Sequence, residues 1–131
     1  MDEASPIDLD KALGVAERVS PDRLALYIPS RDRENKEIDS KPWLERALSL
    51  LTLIGGGATV MPPSEGMWLN PDTGELIRET VLIVYTYIDP DRLAAHLSDL
   101  RAFLHEMGRQ TGQGEVVCDY NGSFLKIRTF D

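Results

Sequence analysis

Two short segments of this chain carry the residue types from which a polar site is built. Arg31, Asp32 and Arg33 place two guanidinium groups around one carboxylate, and residues 108–114 (GRQTGQG) set Arg109, Gln110 and Thr111 among three glycines. A glycine-bearing loop presents backbone amides to an anion, and an arginine beside it adds charge. The pattern suits a small polar ligand held by Arg31, Asp32, Arg33, Arg109, Gln110 and Thr111. It equally suits an ordinary turn from a helix into a strand, since glycine and polar residues are common loop formers. The lysine and following hydroxyl residue of a P-loop are missing, and no dinucleotide-binding fingerprint occurs.

A third segment carries contact rather than chemistry. Met67, Trp68 and Leu69 form an apolar triplet within the turn-rich residues 64–75. A tryptophan exposed at a hairpin tip would anchor a partner, and Glu75 stands nearby as a polar contact. Folding of Trp68 back over a sheet edge is the competing expectation. Asp32, Asp72, Glu75 and Glu79 could gather for metal-assisted hydrolysis, but in a chain with 22 acids such proximity is uninformative. His96 and His105 are nine apart on one helix, which is not the spacing of a zinc pair, and both are expected in solvated positions. Cys118 reads as a small packed residue. No metal and no cofactor is expected.

The elements that must position these residues follow from pattern. Ile7, Leu9, Ala12, Leu13, Val15, Ala16 and Val19 suit a short amphipathic helix opening near Asp8, weakened by Gly14. Residues 24–28 read as a strand ended by Pro29. Ser40 and Pro42 open a helix carrying Trp43, Leu44, Ala47, Leu48, Leu51 and Ile54 on one face, stopped by Gly55, Gly56 and Gly57. Residues 58–61 begin a strand that Pro62 and Pro63 interrupt, and residues 70–74 (NPDTG) form a turn. Residues 76–88 are a long buried strand. Asp89 and Pro90 start a helix with a stripe of Leu93, Leu97, Leu100, Leu104 and Met107, ending at Gly108. Residues 116–120 and 124–128 are strands joined by Asn121 and Gly122, a pair suited to a tight primed turn.

That order predicts an α+β, ferredoxin-like βαββαβ two-layer sandwich with an extra C-terminal strand and an N-terminal helix. Residues 1–20 form a helical extension and 21–131 one domain. In such a fold the loop after the first strand, the long hairpin and the loop after the second helix meet at one end of the sheet. The repeated letters PDRLA at 21–25 and 90–94 are a coincidence, because no longer repeat follows.

Composition narrows the function classes. The chain has 131 residues, 42% hydrophobic and 27% charged, which suits one globular core. Its net charge of -8 disfavours nucleic acid as a partner. With one cysteine, no internal disulfide forms, and there is neither a secretory leader pattern nor an apolar run of membrane length. A cytoplasmic location is the expectation.

The long loop between the second and third strands and the glycine-rich segment after the second helix make residues 24–128 resemble the small P-II and CutA-type ferredoxin-like proteins. That resemblance implies oligomeric regulatory behaviour. Nucleotide binding does not carry over, because the Gly-Lys pair of the P-II phosphate loop is here Gly114 and Glu115. The leading expectation is therefore a non-enzymatic binding or regulatory domain, a homo-oligomer, recognising a protein or small ligand at the loop end. Its alternatives are a small hydrolase using Arg31, Asp32 and Arg33 with Glu75, and an acidic inhibitor that imitates nucleic acid.

Overall fold

The computed structural model describes residues 6–131; the first five residues of the expected N-terminal extension lie outside them. Asp8 caps a helix, α1 (Leu9–Leu13), by accepting from the Lys11 amide. Gly14 adopts a left-handed conformation (φ 68°) and ends it after five residues, so the helical spacing that continues to Val19 goes unused. After β1 (Arg23–Ile28) comes α2 (Lys41–Gly55), then β2 (Thr59–Val60), β3 (Ser64–Leu69), β4 (Leu76–Tyr87), α3 (Pro90–Gln110), β5 (Val116–Tyr120) and β6 (Ser123–Ile127).

All strand pairs are antiparallel. The sheet runs β2-β4-β1-β5-β6, with β3 also on β4. This is the expected ferredoxin-like order with β6 added at one edge. β2 and β3 act as one interrupted strand along β4. The register passes from Val60 opposite Val84 to Ser64 opposite Val81, and the Met61 amide still reaches the Ile83 carbonyl. Pro62 and Pro63 therefore stand opposite Leu82 alone, a bulge placed where neither residue has an amide hydrogen to donate.

One face of the sheet is covered by α2 and α3. Leu24, Leu26 and Ile28 of β1 meet Ala47, Leu51 and Ile54 of α2, Phe103, Leu104 and Met107 of α3, and Val116 and Cys118 of β5 in a single buried cluster. Gly55 lets α2 approach β4 closely, because a Cβ there would overlap the Thr86 hydroxyl and the Tyr87 carbonyl. Strand alternation turns Arg23 and Tyr27, Tyr85 and Tyr87, and Phe124 to the opposite face. There the Arg23 guanidinium lies 4.1 Å from the Tyr85 ring centroid and Tyr27 meets Phe124 edge-on at 5.6 Å.

Several local expectations change. Ser40 makes no side-chain cap; its hydroxyl donates to the Pro29 carbonyl and ties the start of α2 to the end of β1. The expected loop 64–75 contains the strand β3, which places Trp68 within a β-ladder opposite Ile77 rather than at a tip. α3 runs past Gly108 to Gln110, and Gly108 lies inside it against the Phe130 ring. Leu97 of the expected stripe is 56% exposed. His105, expected in solvent, is buried and accepts the Asp131 amide at Nδ1. The primed turn forms as expected, with Asn121 and Gly122 both at positive φ. No helix among the described residues is long and apolar enough to cross a membrane.

Candidate functional site

The three polar connections meet at one pole of the sheet. The Arg33 amide donates to the Gly112 carbonyl at 3.0 Å, and Gln113 Nε2 donates to the Arg31 carbonyl at 2.8 Å. The loop after β1 is thus pinned to the segment after α3. The β3–β4 hairpin supplies the remaining wall of a cleft of about 800 Å³, in which Arg33 and Glu34 face Trp68, Asn70 and Asp72, with Glu115, Lys126 and Arg128 as the floor. Strand register explains the convergence. Trp68 pairs with Ile77 on the face that also carries Glu79, while Glu115 and Arg128 extend the same face along β5 and β6.

The cleft holds both signs of charge around a flat indole. Glu115 lies 3.1 Å from Arg128 and 3.7 Å from Lys126, leaving Arg33 as a cation on the opposite wall. Trp68 is half-buried, and its neighbours Met67 and Leu69 point to the other side and are exposed. The arrangement suits a ligand with an aromatic ring and charges of both signs.

Glu79 borders the adjoining space. A small cavity of about 80 Å³ touches Tyr27, Glu79 and Glu115, and a second cleft of about 400 Å³ beyond it is lined by Arg31, Glu37, Glu65, Arg78 and Glu79. The Glu79 carboxylate accepts the Ser30 and Arg31 amides, each at 3.2 Å. Burial pushes its carboxyl above the ordinary range, and those amides and the Arg31 charge oppose the rise.

Of the residues singled out from sequence, Arg33 and Trp68 line the larger cleft. Arg31 closes its own loop, donating to the Asn35 carbonyl and pairing with Glu37 at 3.7 Å, and lines the smaller cleft. Asp32 is absorbed by an Asx turn, accepting the amides of Glu34 and Lys36. Arg109 belongs to α3 and donates to the Asp131 carbonyl, away from the cleft. Gln110 is an exposed residue of α3, and the buried Thr111 hydroxyl donates to the Met107 carbonyl. Glu75 completes the hairpin turn with its backbone. Sequence reasoning missed Glu34, Glu115, Lys126 and Arg128. The alternation of Phe124, Lys126 and Arg128 was the available signal for the last two. Among the described residues no group of three or more His, Cys, Asp or Glu is placed to hold a metal ion.

No protein-family model matches this chain, and no curated protein does. Among solved structures the chain is similar to a phage SAM lyase in complex with S-methyl-5′-thioadenosine, with a TM-score of 0.63 over 88% of this chain and 96% of that one at 10% identity. It is also similar to a phage SAM lyase in the apo state, with a TM-score of 0.61 over the same shares at 14% identity. At these identities the likeness is one of fold. It nevertheless overturns the expectation of a non-enzymatic regulatory domain. That expectation rests on the lack of a catalytic constellation in the sequence, and a chain of this architecture serves as a lyase.

Proposed function

We propose that this chain binds S-adenosylmethionine in the three-loop cleft and cleaves it to S-methyl-5′-thioadenosine. The observation that carries the reading is the fold shared, across 88% of the chain, with a phage SAM lyase holding that nucleoside. The cleft supports it chemically. S-adenosylmethionine offers an adenine ring, a ribose diol, a sulfonium cation, an ammonium group and a carboxylate. Trp68 supplies a stacking surface for the ring. Glu34 and Asp72 accept from hydroxyls or the ammonium group, and Arg33 is placed for the carboxylate.

The reaction asks little of the protein by way of covalent chemistry. The sulfonium is an activated leaving group. When the bond between sulfur and Cγ breaks, its electron pair returns to sulfur and leaves a neutral thioether. The substrate's own carboxylate reaches Cγ through a five-membered ring, forming a C–O bond as the C–S bond breaks and releasing a lactone. Catalysis then consists of folding the amino-acid tail against Cγ, for which the cleft offers charges of both signs and an indole. Glu79 holds the β1 exit loop that carries Arg33 and serves as a positioning residue.

Calorimetric titration with S-methyl-5′-thioadenosine tests the binding half of the reading. Saturable binding that Trp68→Ala weakens is the expected result. A folded chain that binds neither this nucleoside nor S-adenosylmethionine would refute it.

A further inference from the structure

The Asn121–Gly122 turn lies outside the cleft and joins two residues prone to a reaction of their own. An asparagine loses its side-chain amide when the backbone nitrogen of the next residue attacks Cγ. The new N–C bond closes a succinimide ring, the Cγ–Nδ2 bond breaks, and the proton displaced from the attacking nitrogen leaves with Nδ2 as ammonia. Water then opens the ring at either carbonyl, giving aspartate or isoaspartate. Of the chain's asparagines, Asn70 precedes Pro71, whose nitrogen carries no hydrogen, and Asn35 precedes Lys36, whose side chain crowds the attack. Asn121 precedes a glycine, which leaves the attacking nitrogen unhindered.

The folded turn restrains each atom of that reaction. Asn121 is exposed and sits at φ 53°, followed by Gly122 at φ 86°. Its backbone amide donates to the Arg23 carbonyl at 3.0 Å, and its side-chain oxygen accepts the Arg23 amide at 2.7 Å. The side-chain carbonyl thus continues the β1–β5 ladder one residue past the pairing of Leu24 with Tyr120. Nδ2, the leaving atom, donates to the Asp22 carboxylate at 2.8 Å. The nucleophile is held as well, since the Gly122 amide donates to Asp119 Oδ1 at 2.7 Å in a charge-assisted bond. Attack requires that nitrogen to give up its proton, and the Asp119 carboxylate beside it opposes the negative charge that would form.

We infer that Asn121 is a deamidation site which Asp119 keeps closed while the β5–β6 hairpin is formed, and which opens when that hairpin frays. β6 is an edge strand with Phe124 and Leu125 exposed, so the hairpin is held from one side only and opens locally at low cost. Neither product fits the turn. Aspartate places an oxygen where Nδ2 now meets Asp22, setting two carboxylates against each other. Isoaspartate adds a carbon to the main chain, and a two-residue primed turn has no room for it. Both products release the tie between Asp22 and the hairpin.

Peptide mass spectrometry on the full chain, incubated in mildly alkaline buffer with and without urea, tests the inference. In urea, position 121 should convert to the acid well ahead of Asn35 and Asn70, and in the folded wild type that conversion should be many-fold slower. Asp119→Asn keeps an acceptor for the Gly122 amide but removes the charge, and Asp119→Ala removes both. With circular dichroism unchanged, conversion should speed up in the first and speed up further in the second. Asn121→Asp reproduces one product and should melt below the wild type at neutral pH. A folded wild type that converts as fast as the chain in urea would overturn the inference, and this comparison holds whether or not the variants fold. So would folded Asp119 variants that convert no faster than the wild type, or a position 121 that lags behind Asn35 in urea.

Discussion

Gln113 donates its side-chain amide to the Arg31 carbonyl at 2.8 Å, fastening the segment that leaves α3 to the segment that leaves β1. Two residues 82 positions apart in sequence thereby fix one wall of the cleft. Gln113→Ala removes this tie but leaves the backbone bond from Arg33 to Gly112. A hydrogen bond contributes about 0.5–1.5 kcal/mol, so affinity for S-methyl-5′-thioadenosine should fall roughly two- to tenfold with the fold intact. Calorimetry beside a thermal melt separates the two effects.

Trp68 makes a larger contribution to binding in this account. Loss of one base-stacking partner costs about 1–3 kcal/mol, so Trp68→Ala should weaken nucleoside binding by roughly 5- to 150-fold. The other tryptophan, Trp43, packs against Phe103 and beneath Arg46 on the far side of the sheet. Ligand-dependent fluorescence should therefore persist in Trp43→Phe and vanish in Trp68→Phe.

Glu79 should leave a mark on the pH dependence of stability. Its carboxyl is raised in the folded chain, chiefly by burial. The folded state then binds more protons than the unfolded state between the ordinary glutamate value and the raised one. Stability is full below that window and falls as pH rises through it. Glu79→Gln keeps an oxygen to accept the Ser30 and Arg31 amides and stays neutral throughout. Urea midpoints measured from acidic to neutral pH should decline for the wild type and decline less for the variant; parallel curves would contradict the assignment.

Gly108 should prove intolerant of a side chain. A Cβ at this position would enter the Phe130 ring, whose edge meets the His105 imidazole. Asp131 beyond it is held by Arg101, which keeps its carboxyl below the usual range. Gly108→Ala should cost about 1–3 kcal/mol by overpacking. Phe130→Ala should relieve much of the difference between glycine and alanine at 108, which a double-mutant cycle reads directly.

The architecture was legible because period and punctuation agreed. The long strand 76–88, the stripe on α3 and the Asn121–Gly122 turn each carried a local signal that the tertiary structure reinforced. The errors arose where a distant residue decided the outcome. Gly108 looked like a helix stop, but it lies inside the helix against Phe130, 22 positions away. Ser40 looked like a cap, but Pro29 offered its hydroxyl an acceptor. The site was legible only in part. Convergence of three loops followed from topology, and it brought Arg33 and Trp68 together, whereas Asp32 and Thr111 spent their polar groups on local backbone. Glu115, Lys126 and Arg128 went unnoticed because charges at a hairpin edge look like solvated surface until a loop arches over them.

Incubation of the purified chain with S-adenosylmethionine, followed by chromatographic detection of S-methyl-5′-thioadenosine, tests the central claim most directly. The account predicts product accumulating above the spontaneous rate, accompanied by homoserine lactone or its ring-opened form and sharply reduced in Trp68→Ala. A folded wild type that releases the nucleoside no faster than buffer alone would contradict it.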